Sequence, residues 1–550
     1  MKNAKILLLA MLLTFTLSGS ASPAAEIVEY KEYKSGDFIY TLDQSGNAEI
    51  TGYRGDDRDL RVPSELGGHP VTSIGVGAFR NKSRLSSATL PEGLQSIGDD
   101  AFYGCSGLSS VTLPEGLESL GGYAFWGCSG LASVSLPESL VSMSGNPFGW
   151  FSDLAAVRLS PDHPVFALDD GVLFNKADKI LVAYPITGKP KDYTVPSGTK
   201  SIGKGAFREC WRIVSVVMPN GLISIGDEAF TGCRNLASVT LPEGLQSIGS
   251  NSFSECSGLT SLVLPKGLRS IGDGAFSACL SLSSVMLPEG LQSIGESAFW
   301  GCSGLVCVTL PEGLQSLGGY AFGGCSSLAS VSLPDSLISM SGNPFAGFSD
   351  LSVVHISPGH PVFALVDGVL FNQADKILVA YPMTGKPGAY QVPSGTKAIG
   401  NDAFAAWNSL TSIVLPEGLE SIGDRAFFAC RIAAHLTLPE GLRSIGDSAF
   451  YECVNLPSVT LPKSLESLGD NAFNWCRKLT AVVVPEGVKS IGHWAFGECP
   501  RLTSVTLPTS LTVMGMDIFL DSPTVLTVPQ DSFAQQYALD NRIPFEVISK

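Results

Sequence analysis

The chain has 550 residues, more than one compact core can organise, because such cores stop growing near roughly 250–300 residues. Hydrophobic residues make up 44% and charged residues 16%, which excludes a disordered chain despite 60 glycines and 34 prolines. The formal net charge of −16 excludes passive attraction to nucleic acid or to an anionic membrane, since both demand a basic face.

Residues 1–25 carry Lys2 and Lys5, an apolar run from Ile6 to Leu17, and small residues from Ser18 to Ala25. This is the pattern of a secretory signal peptide. The apolar run is about a dozen residues, short of the roughly 20 that span a bilayer, so no transmembrane helix is expected in the mature chain. The segment Leu17-Ser18-Gly19-Ser20 is close to a bacterial lipoprotein box, but Ser20 stands where the acylated cysteine must be. A secreted or cell-surface location is expected.

From there the chain repeats itself. Leu90 to Thr112 reads LPEGLQSIGDDAFYGCSGLSSVT, and at Leu113 the unit begins again. Phenylalanine recurs every 23 residues from Phe79 to Phe148, from Phe207 to Phe345 and from Phe404 to Phe519. Each break between runs is 59 residues, one ordinary unit of 23 plus one of 36. The two long units are relatives: Val165 to Pro185 matches Val362 to Pro382 at nearly every position, an offset of 197 that points to a duplicated block. Within each, an Asp-Gly pair, Asp170-Gly171 or Asp367-Gly368, separates alternating apolar runs and predicts a β-hairpin.

Inside the unit the apolar columns are Leu90, Leu94, Ile97, Ala101, Phe102, Cys105, Leu108 and Val111. Their spacing fits neither a helix nor a continuous strand, but a coil that turns corners. Leu108 to Leu113 alternates as a half-buried strand does, and the following proline ends its pairing. Gly98 is expected to supply a left-handed corner. Asp99, with Asp227, Asp273, Asp424, Asp447 and Asp470 at the same position, is expected to cap the short turn that carries Ala-Phe. One unit cannot bury its apolar side alone, whereas stacked units can. About 20 coils at roughly 4.8 Å each give a body on the order of 90–100 Å long.

The unit LPxxLxxIGxxAFxxCxxLxxV resembles the BspA-type leucine-rich repeat of bacterial surface proteins over about Asp57 to Ser522. The resemblance implies a leucine-rich-repeat solenoid, a β-dominated right-handed coil of stacked 23-residue units with caps at both ends. Residues 26–56, with Phe38–Leu42 and Ala48–Tyr53, resemble the family's N-terminal capping hairpin. Residues 523–550, with Ser532 to Asp540 and then Ile543-Pro544-Phe545, resemble its closing helix and strand. The solenoid would then occupy 57–522, with hairpin insertions near 160–195 and 357–392.

Twelve of the 13 cysteines share one repeat position, between the apolar Phe and Leu columns, where cysteine acts as a small hydrophobe. Two readings stand. The column is a ladder of buried free thiols, or some coil-to-coil bridges form, because neighbouring Cα atoms come within about 5 Å while parallel side-chain directions oppose bonding. The thirteenth, Cys307, is off register and expected to point outward. The six histidines, His69, His163, His355, His360, His435 and His493, are expected to be surface or loop residues at unrelated positions. No zinc spacing, catalytic serine elbow or phosphate loop accompanies them, so no metal, cofactor or enzymatic activity is expected.

Candidate binding residues stand where the core does not require them. Tyr103, Trp126, Trp300, Phe428 and Tyr451 lie two positions before the cysteine column, where other units hold Arg208, Thr231, Ser254 and Ser277; Trp475 and Trp494 are close by. Exposed aromatics anchor protein and sugar ligands. The competing reading is packing at the edge of the solenoid. The strand face carries a column of hydroxyls broken by Val217, Val263, Met286 and Val414. The family resemblance implies adhesion to, or recognition of, an extracellular protein or glycan; the alternative is a structural component of the cell envelope without a specific ligand.

Overall fold

The computed structural model describes residues 31–149, 156–185, 190–346, 353–381 and 388–548, so the expected signal segment lies outside the described residues. Each coil has two short strands. One is the three-residue type, such as Ser110–Thr112, whose middle residue points inward. The other is the two-residue type, such as Ser119–Leu120. Both pair in parallel with the next coil at a 23-residue offset: Ser87 faces Ser110 and Thr89 faces Thr112 on one side, Ser96 faces Ser119 on the other. The remaining arc is a chain of tight turns rather than a helix.

That turn arc is also a ladder between coils. Phe102 N donates to Ala124 O at 2.7 Å and Gly104 N to Trp126 O at 2.7 Å. Beneath it the phenylalanines stack nearly parallel, with Phe253 and Phe276 rings 5.3 Å apart at 5°. In the two 36-residue units Tyr184 and Tyr381 take the phenylalanine's place, 4.8 Å from Phe207 and 5.1 Å from Phe404.

Two expectations about the corner are corrected. Gly98 is not left-handed; the left-handed residues of that coil are Asp100 (φ 57°) and Gly104 (φ 70°). Glycine is needed at 98 for close approach, because an added Cβ would lie 2.9 Å from Val76 N. The aspartate column does not cap its own turn either. Asp227 Oδ1 accepts from Ser250 N at 2.7 Å and Asp447 Oδ1 from Asp470 N at 2.7 Å, in each case the same position one coil later. The carboxylate supplies the link where the backbone ladder changes direction.

The Asp-Gly hairpins form as expected. Phe166–Asp169 pairs antiparallel with Val172–Asn175 around Asp170 (φ 45°) and Gly171 (φ 73°), a combination that suits the right-handed twist of two-residue hairpins. The second copy, Phe363–Val366 with Val369–Asn372, repeats it. On the turn side the flanking coils meet directly across each insertion: Asn146 N donates to Lys204 O at 3.0 Å, and Asn343 N to Asn401 O at 3.1 Å. At the chain ends, Phe38–Leu42 pairs antiparallel with Ala48–Tyr53, which pairs in parallel with the first coil. The helix Phe533–Asp540 is N-capped by Ser532, and Phe545–Ile548 adds to the last strand, Val525–Pro529.

The second of these joints carries an ion pair with a buried carboxylate and a partly exposed guanidinium. Asp402 is 2% exposed at its side chain; Tyr320 Oη donates to its Oδ1 at 2.6 Å, and Arg425 Nε and Nη2 donate at 2.8 and 3.0 Å. Burial raises the Asp402 carboxyl above the usual carboxylate range, with Arg425 opposing the rise. A raised folded-state value means that the ionised carboxylate costs stability as the pH climbs through it, so removing Arg425 matters most where Asp402 is charged. Arg425→Ala should therefore lower the unfolding temperature more at about pH 8 than at about pH 4; equal losses at both would show that the ion pair does not hold the joint. In the glycine column a Cβ at Gly318 would sit 2.3 Å from Glu296 N, whereas one at Gly359, in the second insertion, would touch nothing within 4 Å. Gly318→Ala should cost about 1–3 kcal/mol in urea unfolding and Gly359→Ala close to nothing.

Candidate binding surface

Chemistry based on the cysteine column finds no support in the geometry. All twelve column thiols are free and buried. Each donates to the carbonyl of the ring-stack residue one coil earlier, as Cys128 Sγ does to Phe102 O at 3.2 Å and Cys256 Sγ to Phe230 O at 3.2 Å. In the last coil Ser522 Oγ makes the same bond to Phe496 O at 2.8 Å. The column therefore holds a small residue with one donor, which explains a preference for cysteine over a pure hydrophobe. Burial pushes the Cys430 thiol up to about 12 and the Cys453 and Cys476 thiols well above their ordinary value, so these three offer no nucleophilic thiolate. Cys307 alone is exposed, bridged in parallel to Ser284 on the strand face.

The histidine expectation fails at two positions. His163 and His360 are buried, and they are equivalent sites of the duplication rather than unrelated ones. His163 Nε2 donates to Pro137 O at 3.0 Å while its Nδ1 accepts from Val165 N and Phe166 N, both at 3.2 Å; His360 does the same with Pro334, Val362 and Phe363. Both rings pin an insertion to the preceding coil. Among the described residues no three His, Cys, Asp or Glu side chains converge as metal ligands do.

The seven aromatic candidates divide into separate environments. Trp126 is not an exposed anchor: it is 5% exposed, lies edge-on to Tyr123 and sits under Gly149, where an added Cβ would overlap its ring. It belongs to the first joint. Tyr103 is half-buried under the Arg80 guanidinium, 4.4 Å from its ring centre. Trp300 is 48% exposed. Phe428 and Tyr451, half-buried on successive coils, stack 5.2 Å apart at 2°. Trp475, beneath Arg477 at 4.6 Å, and Trp494 continue the turn arc on the next two coils. Four consecutive coils thus present an aromatic on one arc, while Tyr103 and Trp300 stand apart.

Trp475 (φ 62°) and Trp494 (φ 52°) also occupy the two left-handed positions of the turn arc, which other coils fill with residues as different as Gly104, Glu209, Asp100, Arg425 and Tyr123.

The strand face differs in character. From Ser215 to Ser332 the outward positions of five strands, and of the Cys307 bridge before the last of them, carry no charge, in a chain of net charge −16. Val263 and Met286, directly paired, are 71% and 70% exposed. Trp211, 51% exposed, was legible as a candidate: serine fills its register position in Ser106, Ser129, Ser257 and Ser303.

Paired coils, a ring stack and a thiol ladder define a leucine-rich-repeat β-solenoid. The chain belongs to the family described as the BspA type leucine-rich repeat region (6 copies), which matches residues 70–168, 187–306, 269–363 and 397–525. Among solved structures it is similar to a leucine-rich cell surface protein from Faecalibacterium prausnitzii A2-165, at 20% identity over 92% of this chain and 97% of that one, with a TM-score of 0.37. It is also similar to the pneumococcal vaccine antigen PcpA, at 21% identity over 70% of this chain and 98% of that one (TM-score 0.42). A leucine-rich repeat protein from Eubacterium ventriosum ATCC 27560 matches at 22% identity over 66% and 93% (TM-score 0.46). No curated protein matches the chain. No helix among the described residues is long and apolar enough to cross a membrane.

Thiol titration tests the cysteine assignment. The native chain should react with one equivalent of a thiol reagent, through Cys307, and the denatured chain with all 13; Cys307→Ser should abolish the native reaction.

Proposed function

We propose that this chain is a secreted or cell-surface recognition protein that binds an extracellular protein or glycan through one side of a rigid repeat frame, and that it is a scaffold rather than an enzyme. On this reading residues 1–25 direct export, and 26–56 and 523–550 close the ends of a solenoid spanning 57–522. The observation that carries it is the aromatic arc of Phe428, Tyr451, Trp475 and Trp494. Their rings lie outside the phenylalanine stack on four consecutive coils, and those of Phe428 and Tyr451 stack on each other. Large, stiff rings on a fixed spacing give contact area at low conformational cost, and repetition along the frame adds avidity.

The test is a screen of the exported chain against immobilised extracellular-matrix proteins and a glycan array. Phe428→Ala with Tyr451→Ala should weaken binding by about 2 kcal/mol or more, roughly thirty-fold, while leaving the unfolding temperature nearly unchanged. Wild-type affinity in that double variant would remove the arc from the binding surface. Absence of any ligand in the screen would favour the alternative, an envelope component without a specific partner.

A further inference from the structure

The 36-residue units leave the short-strand ladder open. In a regular pair the next coil closes the previous one, as Gln315 N does on Gln292 O at 2.9 Å and Gly318 N on Ile294 O at 2.8 Å. After Ser339–Met340 this stops. The insertion strand Ile377–Ala380 pairs onward with Ala398–Ile399 and back with its own hairpin, and among the described residues nothing donates to Ile338 O or Met340 O. The coils meet on the turn side, through Asn343 and Asn401, but gape on the strand side.

The gap is a cleft of about 390 Å³. That falls within the range of small-ligand sites, roughly 300–1,000 Å³. Met340, Ile377 and Val379 give it an apolar wall, and Ser341, Asn372, Asp375 and Asn401 line its polar side. Asn372 Nδ2 donates to Asp375 Oδ2 at 2.9 Å, which orients the amide and carboxylate at the mouth. No lysine or arginine lines the cleft.

These groups specify a ligand. Two strand-edge carbonyls and a carboxylate require donors, and the carboxylate without a cation beside it rejects anions. Asn372 Oδ1, Asn401 Oδ1 and Ser341 Oγ already accept from Asp375 N, Asp424 N and Gly319 N, so these side chains offer donors that require acceptors on the ligand, and the apolar wall requires a non-polar flank. We propose that the cleft at the second joint binds a neutral sugar, whose hydroxyls donate and accept around the ring and whose C–H face covers Met340 and Ile377. The sugar is either free or the terminal residue of a glycan.

The first joint provides an internal control, because the duplication sets Lys204 where the second joint has Asn401. The Lys204 stem lies against Gly145, where an added Cβ would be 3.4 Å from its Cβ and Cγ, and its ammonium lies 5.8 Å from the centre of the Tyr123 ring, so the first joint carries bulk and a cation on the residue that replaces Asn401. Asn401→Lys therefore imports a residue that the same fold already accommodates.

The experiment is calorimetry and saturation-transfer NMR on the full chain with neutral methyl glycosides and disaccharides, with uronic acids and inorganic phosphate as the anionic arm. A glycan array separates terminal residues from free sugars. A neutral saccharide should bind at one site per chain, with uronates and phosphate silent. Asn401→Lys and, independently, Asp375→Ala at an exposed hairpin position should each weaken binding about ten-fold or more, the loss of one well-made hydrogen bond to a charged or desolvated group. The proposal is overturned if no neutral saccharide binds in either format, if anions bind equally well, or if Asp375→Ala and a folded Asn401→Lys keep wild-type affinity. Phe428→Ala with Tyr451→Ala should leave cleft binding unchanged, so the cleft and the aromatic arc stand or fall separately.

Discussion

An isolated coil of this protein cannot close its own backbone hydrogen bonds, and the rest of the structure answers that constraint. Buried N–H and C=O groups must be paired, and here most partners lie one coil away. Coils must therefore approach to a strand spacing around the whole perimeter. The glycine column, the parallel ring stack, the aspartate links and the thiol-to-carbonyl bonds are four ways of permitting or completing that one approach. Gly98 gives room for backbone against backbone, and Asp227 supplies an acceptor where the backbone turns away from the ladder. Cys128 satisfies a phenylalanine carbonyl that points into the core.

Where the ladder breaks, other residues take over. At the coil before each joint Ser144 and Ser341 replace the corner glycine, and their hydroxyls accept from Gly122 N and Gly319 N at 2.7 and 3.0 Å. Asn146 and Asn343, both buried, bridge 59 residues of chain to Gly205 O and Asp402 O. His163 and His360 fasten the inserted hairpins. The joints are thus polar where the regular coils are apolar. A gap in a backbone ladder leaves directional groups that only polar side chains satisfy.

The period, the hairpins, the burial of the cysteine column and the exposure of Cys307 were legible in the sequence because each is a pattern along one coil or one short segment. The contacts between coils were not. The glycine and aspartate of the corner act on the neighbouring coil, and a single unit read alone suggests a local turn and a local cap instead. Trp126 fails for the same reason: its burial comes from Gly149 and Tyr123 at a joint, a feature of three-dimensional closure that the unit's register does not contain. Trp407 shows the limit from the other side. It replaces a cysteine in the column yet is 1% exposed, its ring 4.3 Å from that of Tyr381 and tilted by 35°, so the space it fills was made by the insertion next to it.

The same constraint says where function is free to reside. Positions inside the ladder are fixed by the neighbour above and below, which is why Phe, Gly, Cys and Leu scarcely vary from coil to coil. Positions outside it carry aromatics, hydroxyls, exposed valines or charges from one coil to the next at no cost to the stack. The two joints add a second kind of freedom. They duplicate one another in architecture yet differ at Lys204 and Asn401, and at Trp126 and Gly323. A solenoid built this way keeps its frame constant and places its variation on the arc, the strand face and the joints.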